Sequence, residues 1–178
     1  MRTDTTPEIL LYSGNYFNFL QPECHNYLIR DIAHSLSLTN RYSGHTKYAY
    51  NVAQHSVLCS YLVPDDYALE KLMHDASEAY LGDIASPLKQ LLTEYKIIEA
   101  KVESAIAKQF GLCYPFPSCV KEADMRMLRT EFEDVVSSRF IPDCCAKFHR
   151  ASFEITQWTA EYSEEMFLNR YYKLTKEK

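Results

Sequence analysis

Two histidines and two aspartates supply the residue types of a metal site. His74 and Asp75 are adjacent in the chain, His55 precedes them, and Asp124 follows on a later predicted helix. Imidazole nitrogens and carboxylate oxygens together suit Zn²⁺, Mn²⁺, Fe²⁺ or Co²⁺, and helical proteins build such sites from ligands on several helices. We therefore predict that these four side chains hold one divalent transition-metal ion, with Zn²⁺, Co²⁺ or Mn²⁺ favoured and Mg²⁺ as an alternative.

These residues also have purely structural explanations. His55 lies on an apolar helical face, where a core histidine hydrogen-bonded to a neighbour is common. Asp124 lies between apolar residues of its helix, and a carboxylate buried there needs a cation, which Arg126 or Arg129 would supply. Glu78 follows the His-Asp pair by one turn and shares its face, which is either a solvated helix surface or part of a site.

The four glycines of this 178-residue chain are spread along its length. Walker-type phosphate loops and dinucleotide-binding fingerprints need two or three glycines within about eight residues. The chain therefore lacks both motifs, and any phosphate chemistry must use side chains or a metal. Its length suits one domain that buries a core without disulfides.

The charge and hydropathy of the chain exclude further classes. The net charge of −5 and the pI near 5.7 give no electrostatic signature of nucleic-acid binding. No apolar run approaches the ~18 residues of a membrane span, and Met1–Pro7 lacks the apolar core of a signal peptide. We therefore expect a cytoplasmic protein that binds neither nucleic acid stably nor a membrane. The six cysteines include no C-x-x-C pair, so we expect them to be reduced and mostly buried.

Hydrophobic periodicity predicts a hairpin followed by helices. Residues Ile9–Leu20 are β-branched and aromatic on both sides of Ser13-Gly14-Asn15, a pattern typical of a hairpin. Helical spacing and capping residues predict helices near residues 28–36, 48–62, 66–81, 87–110, 118–138 and 151–174. We predict one all-α domain over residues 1–178, with a hairpin segment at 1–25, a helical core at 26–140 and a C-terminal helix at 141–178.

Three capping residues define the predicted helix ends. Ser86 is the expected N-cap of the fourth helix, with Pro87 at its first position, and Gly111 closes it. Ser118 is the expected N-cap of the fifth.

The candidate metal ligands stand in a longer sequence pattern. Arg41 is followed by the VAQHS segment around His55, by HDASEAYLGDIASPLK from His74 to Lys89, and by Asp124. Over residues 8–135 this pattern resembles the HD-domain phosphohydrolases, especially the bacterial 5′-deoxynucleotidases and the small phage dATP triphosphohydrolases. A bare His-Asp pair is uninformative, but the extended string with an upstream Arg and His and a downstream Asp is specific. The resemblance implies an HD-domain bundle of about six helices.

The resemblance also implies a role for each site residue. It assigns metal binding to His55, His74, Asp75 and Asp124, general acid/base catalysis to Glu78, an acidic active-site position to Asp83, and substrate binding to Arg41, Tyr42, His45 and Lys89. Tyr42 stands where the nucleotidases have tryptophan, which keeps a platform for stacking on sugar or base. An exposed loop histidine and an ordinary turn aspartate are the alternatives for His45 and Asp83.

The implied activity is metal-dependent hydrolysis of a 2′-deoxynucleoside 5′-phosphate by attack of water at the α-phosphorus. We expect dATP as substrate, with deoxyadenosine and triphosphate as products. One alternative is a 5′-deoxynucleotidase that acts on monophosphates. A second is a non-catalytic regulator that binds nucleotide. The relatives implied by the resemblance are oligomeric and the C-terminal helix is rich in aromatic residues, so we expect a homodimer or a hexamer.

Overall fold

The computed structural model describes residues 6–136 and 140–176, which are mostly helical and begin with one short antiparallel hairpin. Strand β1 (Glu8–Leu10) pairs with β2 (Tyr16–Asn18), and Ile9 lies opposite Phe17. The connecting turn places Gly14 at φ +84°, a left-handed conformation that glycine adopts without strain. The predicted hairpin is thus confirmed.

Helices follow the hairpin along the rest of the described chain. They are α1 (Ile29–Leu38), α2 (Val52–Cys59), α3 (Ala68–Met73), α4 (Glu78–Leu81), α5 (Ser86–Lys89), α6 (Thr93–Phe110), α7 (Ser118–Asp134), α8 (Asp143–Ala146) and α9 (Ala160–Lys176). Helix α9 packs against α1, α2 and α3, and α7 packs against α2 and α3. The fully buried side chains of Ile32, Leu36, Val57, Leu72 and Phe167 come from this group of helices and form the centre of the core.

The predicted helix over residues 66–81 is interrupted at the His-Asp pair. Helix α3 ends before His74, and α4 begins only at Glu78, after a turn tightened by a hydrogen bond from the N–H of Glu78 to the carbonyl of Asp75. The ring Nδ1 of His74 donates to the carbonyl of Lys71 at 2.8 Å. A regular α-helix reserves that carbonyl for the N–H of Asp75, so the side chain competes with the helix at this point.

The predicted helix over residues 87–110 forms two helices, α5 and α6. Leu88 and Leu91 are 50% and 79% exposed, so the connecting stretch buries no apolar face that would continue the first helix into the second. Ser86 is the first residue of α5 rather than its N-cap, which is Ala85. Gly111 ends α6 in the left-handed conformation at φ +65°, as predicted.

The last two long helices also differ from prediction at their ends. Pro117 rather than Ser118 is the N-cap of α7, which ends at Asp134. The predicted end near Ser138 lies outside the described residues. The final helix begins at Ala160 and not near residue 151. The segment before it is held in a non-helical conformation by side chains, since Gln54 Nε2 donates to the carbonyl of Thr156 at 2.6 Å.

All six cysteines are unpaired, as predicted, but most are not buried. Cys59 and Cys145 are buried, Cys119 is intermediate, and Cys24, Cys113 and Cys144 are exposed. Cys113 lies in the connection between α6 and α7, and Cys144 lies in the four-residue helix α8. Among the described residues, no helix has both the length and the apolar character needed to cross a membrane.

Candidate metal centre

Helix α2 presents His55 to the interior from a firmly anchored position. The side chain of Asn51 caps the helix by accepting a hydrogen bond from the N–H of Gln54 at 2.8 Å. The amide of Asn51 also donates to Ser163 Oγ of α9 at 3.0 Å. His55 itself is fully buried. Both contacts of Asn51 therefore anchor the N-terminal end of the helix that carries His55.

The four predicted ligands meet in one cluster. His55 Nε2 lies 3.2 Å from Oδ1 of Asp124 and 3.5 Å from Oδ2 of Asp75. His74 Nε2 lies 3.1 Å from Oδ1 of Asp75 and 3.4 Å from Oδ1 of Asp124. Ligand atoms of His55, His74 and Asp124 all lie within 4.8 Å of one another, so these three residues could hold a metal ion. Helices α2 and α7 and the turn after α3 thus each contribute to the cluster.

The hydrogen bonds of the two imidazole rings fit a metal site. Nδ1 of His55 donates to Oε1 of Glu131 at 2.5 Å, and Nδ1 of His74 donates to the carbonyl of Lys71. Both rings therefore turn Nε2 toward the aspartates. Metal-binding histidines typically have this arrangement, in which an acceptor holds the far nitrogen. The donor set of two nitrogens and two carboxylates matches that expected for a divalent transition metal.

Lys71 is a fifth member of the cluster that the sequence analysis missed. Its side chain is fully buried, and Nζ lies 2.7 Å from His74 Nε2 and 3.2 Å from Asp124 Oδ1. The cation beside Asp124 is thus Lys71, not Arg126 or Arg129. Burial raises the pKa of Asp124, but Lys71 and the two histidines outweigh it and hold that pKa well below its ordinary value. Lys71 precedes His74 by three residues, a spacing that places both on one helical face.

Glu131 is a second residue that the sequence analysis missed. It is fully buried on α7 and accepts hydrogen bonds from Arg41, Tyr42, Tyr50 and His55. Burial raises its pKa, but Arg41 and His55 outweigh that effect and lower the pKa to about 2. Glu131 follows Asp124 by seven residues, two helical turns, so both lie on the face of α7 that meets the cluster.

The turn Arg41–Gly44 carries two of the predicted substrate-binding residues, Arg41 and Tyr42. Arg41 is tied to the cluster because Nη1 lies 3.4 Å from Asp75 Oδ2. Tyr42 and Ser43 adopt left-handed conformations at φ 56° and 51°, which are strained for residues with a side chain. The hydroxyl of Tyr42 donates to Glu131, which helps hold the strained turn. Strain of this kind is concentrated at functional sites.

Glu78 opens helix α4 beside the cluster and is only 7% exposed. Among the described residues its Oε2 is buried without a hydrogen-bond partner, and so is Nε of Arg41. Burial, then the neighbouring carboxylates of Asp75 and Asp83, raise the pKa of Glu78 well above its ordinary value. Asp83 is half-buried, and burial raises its pKa although Arg41 opposes the shift. Glu78, Asp83, Asp75 and Arg41 are therefore close enough to influence one another electrostatically.

Two predicted substrate-binding residues lie farther from the cluster. Lys89 Nζ lies 2.6 Å from Glu99 Oε1; burial lowers the pKa of Lys89, but this ion pair outweighs it and raises the pKa overall. Glu78 acts on Lys89 electrostatically, so its charge lies on the same side of the molecule. His45 is exposed at the end of the Arg41–Gly44 turn, and within the described part of the chain it makes none of the contacts that build the cluster.

Comparison with known proteins yields two bacterial relatives. The chain is 46% identical over 127 residues to the uncharacterized protein YfdR of Escherichia coli, an alignment that covers 71% of each chain. It is 32% identical over 151 residues to the uncharacterized protein RCAP_rcc00048 of Rhodobacter capsulatus, covering 79% of this chain and 74% of that protein. No protein-family model matches the chain.

Proposed function

The chain belongs to the family of the Escherichia coli protein YfdR, and we propose that it is a metal-dependent phosphohydrolase of the HD-domain type. Its proposed reaction is hydrolysis of a 2′-deoxynucleoside 5′-phosphate at the α-phosphorus. The observation that carries this proposal is the meeting of His55, His74, Asp75 and Asp124 within hydrogen-bonding range, beside an arginine and a buried glutamate.

These four side chains would hold the metal. The chemistry that a divalent cation supplies when bound at such a site is polarisation of a phosphate oxygen and a lower pKa for water. The ring contacts support this assignment, because Nδ1 of each histidine faces an oxygen acceptor and Nε2 is turned toward the aspartates. Lys71 neutralises part of the carboxylate charge in the same cluster.

Arg41 would bind the substrate phosphate. Its Nε is buried and lacks a partner among the described residues, and a buried donor of this kind calls for a ligand. A guanidinium group also suits phosphate, since its fork can donate two parallel hydrogen bonds. Lys89 would add a point charge to the same region, and His45 would reach the phosphates from the end of the exposed turn.

Glu78 would act as the general acid/base. Its unpaired Oε2 is an acceptor beside the cluster, and the ionised carboxylate would take a proton from the attacking water. The water oxygen forms a bond to the α-phosphorus while the bond from phosphorus to the 5′-oxygen breaks. The departing 5′-oxygen takes up the proton that Glu78 has accepted from the water and leaves as the nucleoside hydroxyl. Asp83 is influenced by Arg41 and Asp75, as Glu78 is, and would help to hold the proton during its transfer from the water to the 5′-oxygen.

Tyr42 would support the sugar or the base. Its hydroxyl is tied to Glu131, and its ring packs edge-on against Phe132 at a centroid distance of 5.8 Å. The ring is thus held in one position by contacts at both ends. We propose dATP as the substrate, because the segment from Asn40 to Thr46 resembles the corresponding segment of the small phage dATP triphosphohydrolases. A 5′-deoxynucleotidase acting on monophosphates is the alternative within the same chemistry.

A substrate-by-metal assay tests the proposal. Purified protein is stripped with EDTA, reloaded with Mn²⁺, Co²⁺, Zn²⁺ or Mg²⁺, and incubated with each dNTP, NTP and dNMP before the products are separated. We expect deoxyadenosine and triphosphate from dATP. Release of dADP and single phosphate would contradict attack at the α-phosphorus, and turnover of dNMPs alone would favour the nucleotidase.

One contact favours a non-catalytic nucleotide-binding role as a second candidate. Lys71 already places a positive charge against His74 and Asp124, so the cluster is partly neutralised without a divalent cation. A non-catalytic regulator would bind dATP in equilibrium dialysis but would not hydrolyse it in the presence of Mn²⁺, Co²⁺, Zn²⁺ or Mg²⁺. Turnover that depends on Glu78 would exclude this role.

We also propose that the protein is a homo-oligomer, a dimer or a hexamer. Leu88, Leu91 and Ile97 on α5, α6 and their connection are each at least half exposed. The three side chains lie within ten residues of one another in the chain, and exposed apolar patches are typical of association surfaces. Light scattering coupled to size-exclusion chromatography measures the mass in solution, and a monomer at micromolar concentration would contradict the proposal.

A further inference from the structure

Glu131 joins two parts of the site that are distant in sequence. Its Oε1 accepts hydrogen bonds from Nδ1 of His55 at 2.5 Å and from the hydroxyl of Tyr50 at 2.8 Å. Its Oε2 accepts from the hydroxyl of Tyr42 and from Nη2 of Arg41 at 3.3 Å. One buried carboxylate therefore contacts both the helix that carries a metal-ligand candidate and the turn that carries the phosphate-binding arginine.

The contact with His55 determines what the other ring nitrogen can do. A carboxylate only accepts, so Nδ1 must carry the proton and Nε2 is the nitrogen turned toward Asp75 and Asp124. An acceptor at the far nitrogen also fixes ring rotation and makes the imidazole a better ligand. Without Glu131, Nδ1 of the buried ring would lose its acceptor, and a tautomer with the proton on Nε2 would no longer be disfavoured.

The contact with Arg41 fixes the guanidinium in the same way. Nη2 is held by Glu131 and Nη1 by Asp75, which leaves Nε as the donor without a partner among the described residues. The Arg41 side chain is only 12% exposed, so its two carboxylate contacts set its orientation. The strained backbone at Tyr42 is stabilised by the same carboxylate.

We propose that Glu131 is a positioning residue that orients His55 for the metal and Arg41 for the substrate phosphate through one carboxylate. This inference rests on the proposed function. It implies that metal binding and phosphate binding depend on the same side chain, so one substitution weakens both. A purely structural role would lower thermal stability and leave both affinities of the folded protein unchanged.

Glu131→Gln tests the inference, because the amide keeps the size of the side chain but replaces one acceptor oxygen by a donor NH₂. That NH₂ must face a donor, either on the His55 side or on the Arg41 side. We expect about 10- to 100-fold weaker Mn²⁺ binding in calorimetry, together with a higher KM for dAMP or dATP. Glu133→Gln is the matched control. Glu133 lies on the same helix and contacts Arg129 and Arg150 instead of the cluster, so we expect its Mn²⁺ affinity to stay within about threefold of wild type.

A second variant tests the inference if Glu131→Gln does not fold. Glu131→Asp retains the charge and shortens the reach, so we expect weaker Mn²⁺ binding than in wild type at temperatures well below unfolding. Wild-type Mn²⁺ affinity and KM in a folded Glu131 variant, with only a lower Tm, would overturn the inference and leave the proposed function standing. A wild-type protein that binds no Mn²⁺, Co²⁺ or Zn²⁺ would instead overturn the proposed function.

Discussion

The ammonium nitrogen of Lys71 lies 2.7 Å from Nε2 of His74, the same nitrogen that faces Asp75 and Asp124. A lysine that is fully buried among candidate metal ligands supplies the cluster with a positive charge of its own. It also engages a nitrogen that a metal ligand must offer to the ion. A divalent cation bound at this cluster would therefore compete with the lysine for the same atoms.

Lys71→Met is expected to strengthen metal binding. Removing the ammonium group leaves the carboxylates less neutralised and frees Nε2 of His74, so Mn²⁺ affinity should rise on the order of tenfold, or about 1.4 kcal/mol. The metal-free variant should also melt at a lower temperature, because Asp124 loses its cationic partner. Calorimetry and thermal melts with and without Mn²⁺ measure both effects.

Lys47→Met is the matched control for that variant. Lys47 is exposed, and its ammonium donates to the carbonyl of Asp134 rather than to the cluster. Its removal should leave Mn²⁺ affinity unchanged. Weaker Mn²⁺ binding in Lys71→Met would mean that the lysine assists metal binding. Equal Mn²⁺ binding would mean that the lysine does not compete for the metal ligands.

Glu78→Gln is expected to abolish most turnover and to retain metal. Loss of a general acid/base typically costs about 10²- to 10⁴-fold in rate, and Glu78 is not one of the proposed ligands. Glu70→Gln is a matched control, since Glu70 is also a buried glutamate with an unpaired Oε2 in the described chain. Steady-state kinetics measures the turnover, and elemental analysis measures the bound metal. Unchanged turnover in Glu78→Gln would contradict the proposed catalytic role of Glu78.

The raised pKa of Glu78 should also appear in the pH dependence of stability. The group is protonated in the folded state above its ordinary pKa of 4.5, where the unfolded chain has already lost the proton. The folded state thus binds more protons in this window, so the Glu78 contribution to stability is present below pH 4.5 and is lost as pH rises toward the folded pKa. Glu78→Gln should remove this decline.

Urea unfolding of EDTA-treated protein across pH 5 to 8 measures the effect. As pH rises, the unfolding free energy of wild type should fall relative to that of Glu78→Gln. A difference that stays constant across this range would show that the carboxyl of Glu78 titrates near its ordinary value.

His74→Ala and Asp75→Ala are each expected to remove bound metal. Each substitution deletes one of the four proposed ligands. Elemental analysis after gel filtration measures how much metal remains bound per protein chain. His34→Ala is a suitable control, because His34 stacks on Tyr12 and contacts Glu164 away from the cluster. Stoichiometric metal in either ligand variant would refute the proposed set.

Local sequence patterns predicted most of the elements and the four clustered side chains. The β-branched and aromatic residues on both sides of Ser13-Gly14-Asn15 predicted the hairpin, and Gly111 predicted the end of α6. The helix over residues 66–81 was predicted without its break, because periodicity does not report that the His74 ring takes the carbonyl of Lys71. The final helix was placed too early, because side chains distant in sequence hold residues 151–159.

By itself the sequence determined the helical architecture and the residue types of the cluster, since periodicity and capping are local properties of the chain. Only the tertiary structure decided which polar groups pair. The spacing of Lys71 to His74 and of Glu131 to Asp124 was visible in the sequence as a shared helical face. Their burial and contacts were not, because a hydrogen-bonded charge in a core depends on partners from other helices, and those partners are brought together only by packing.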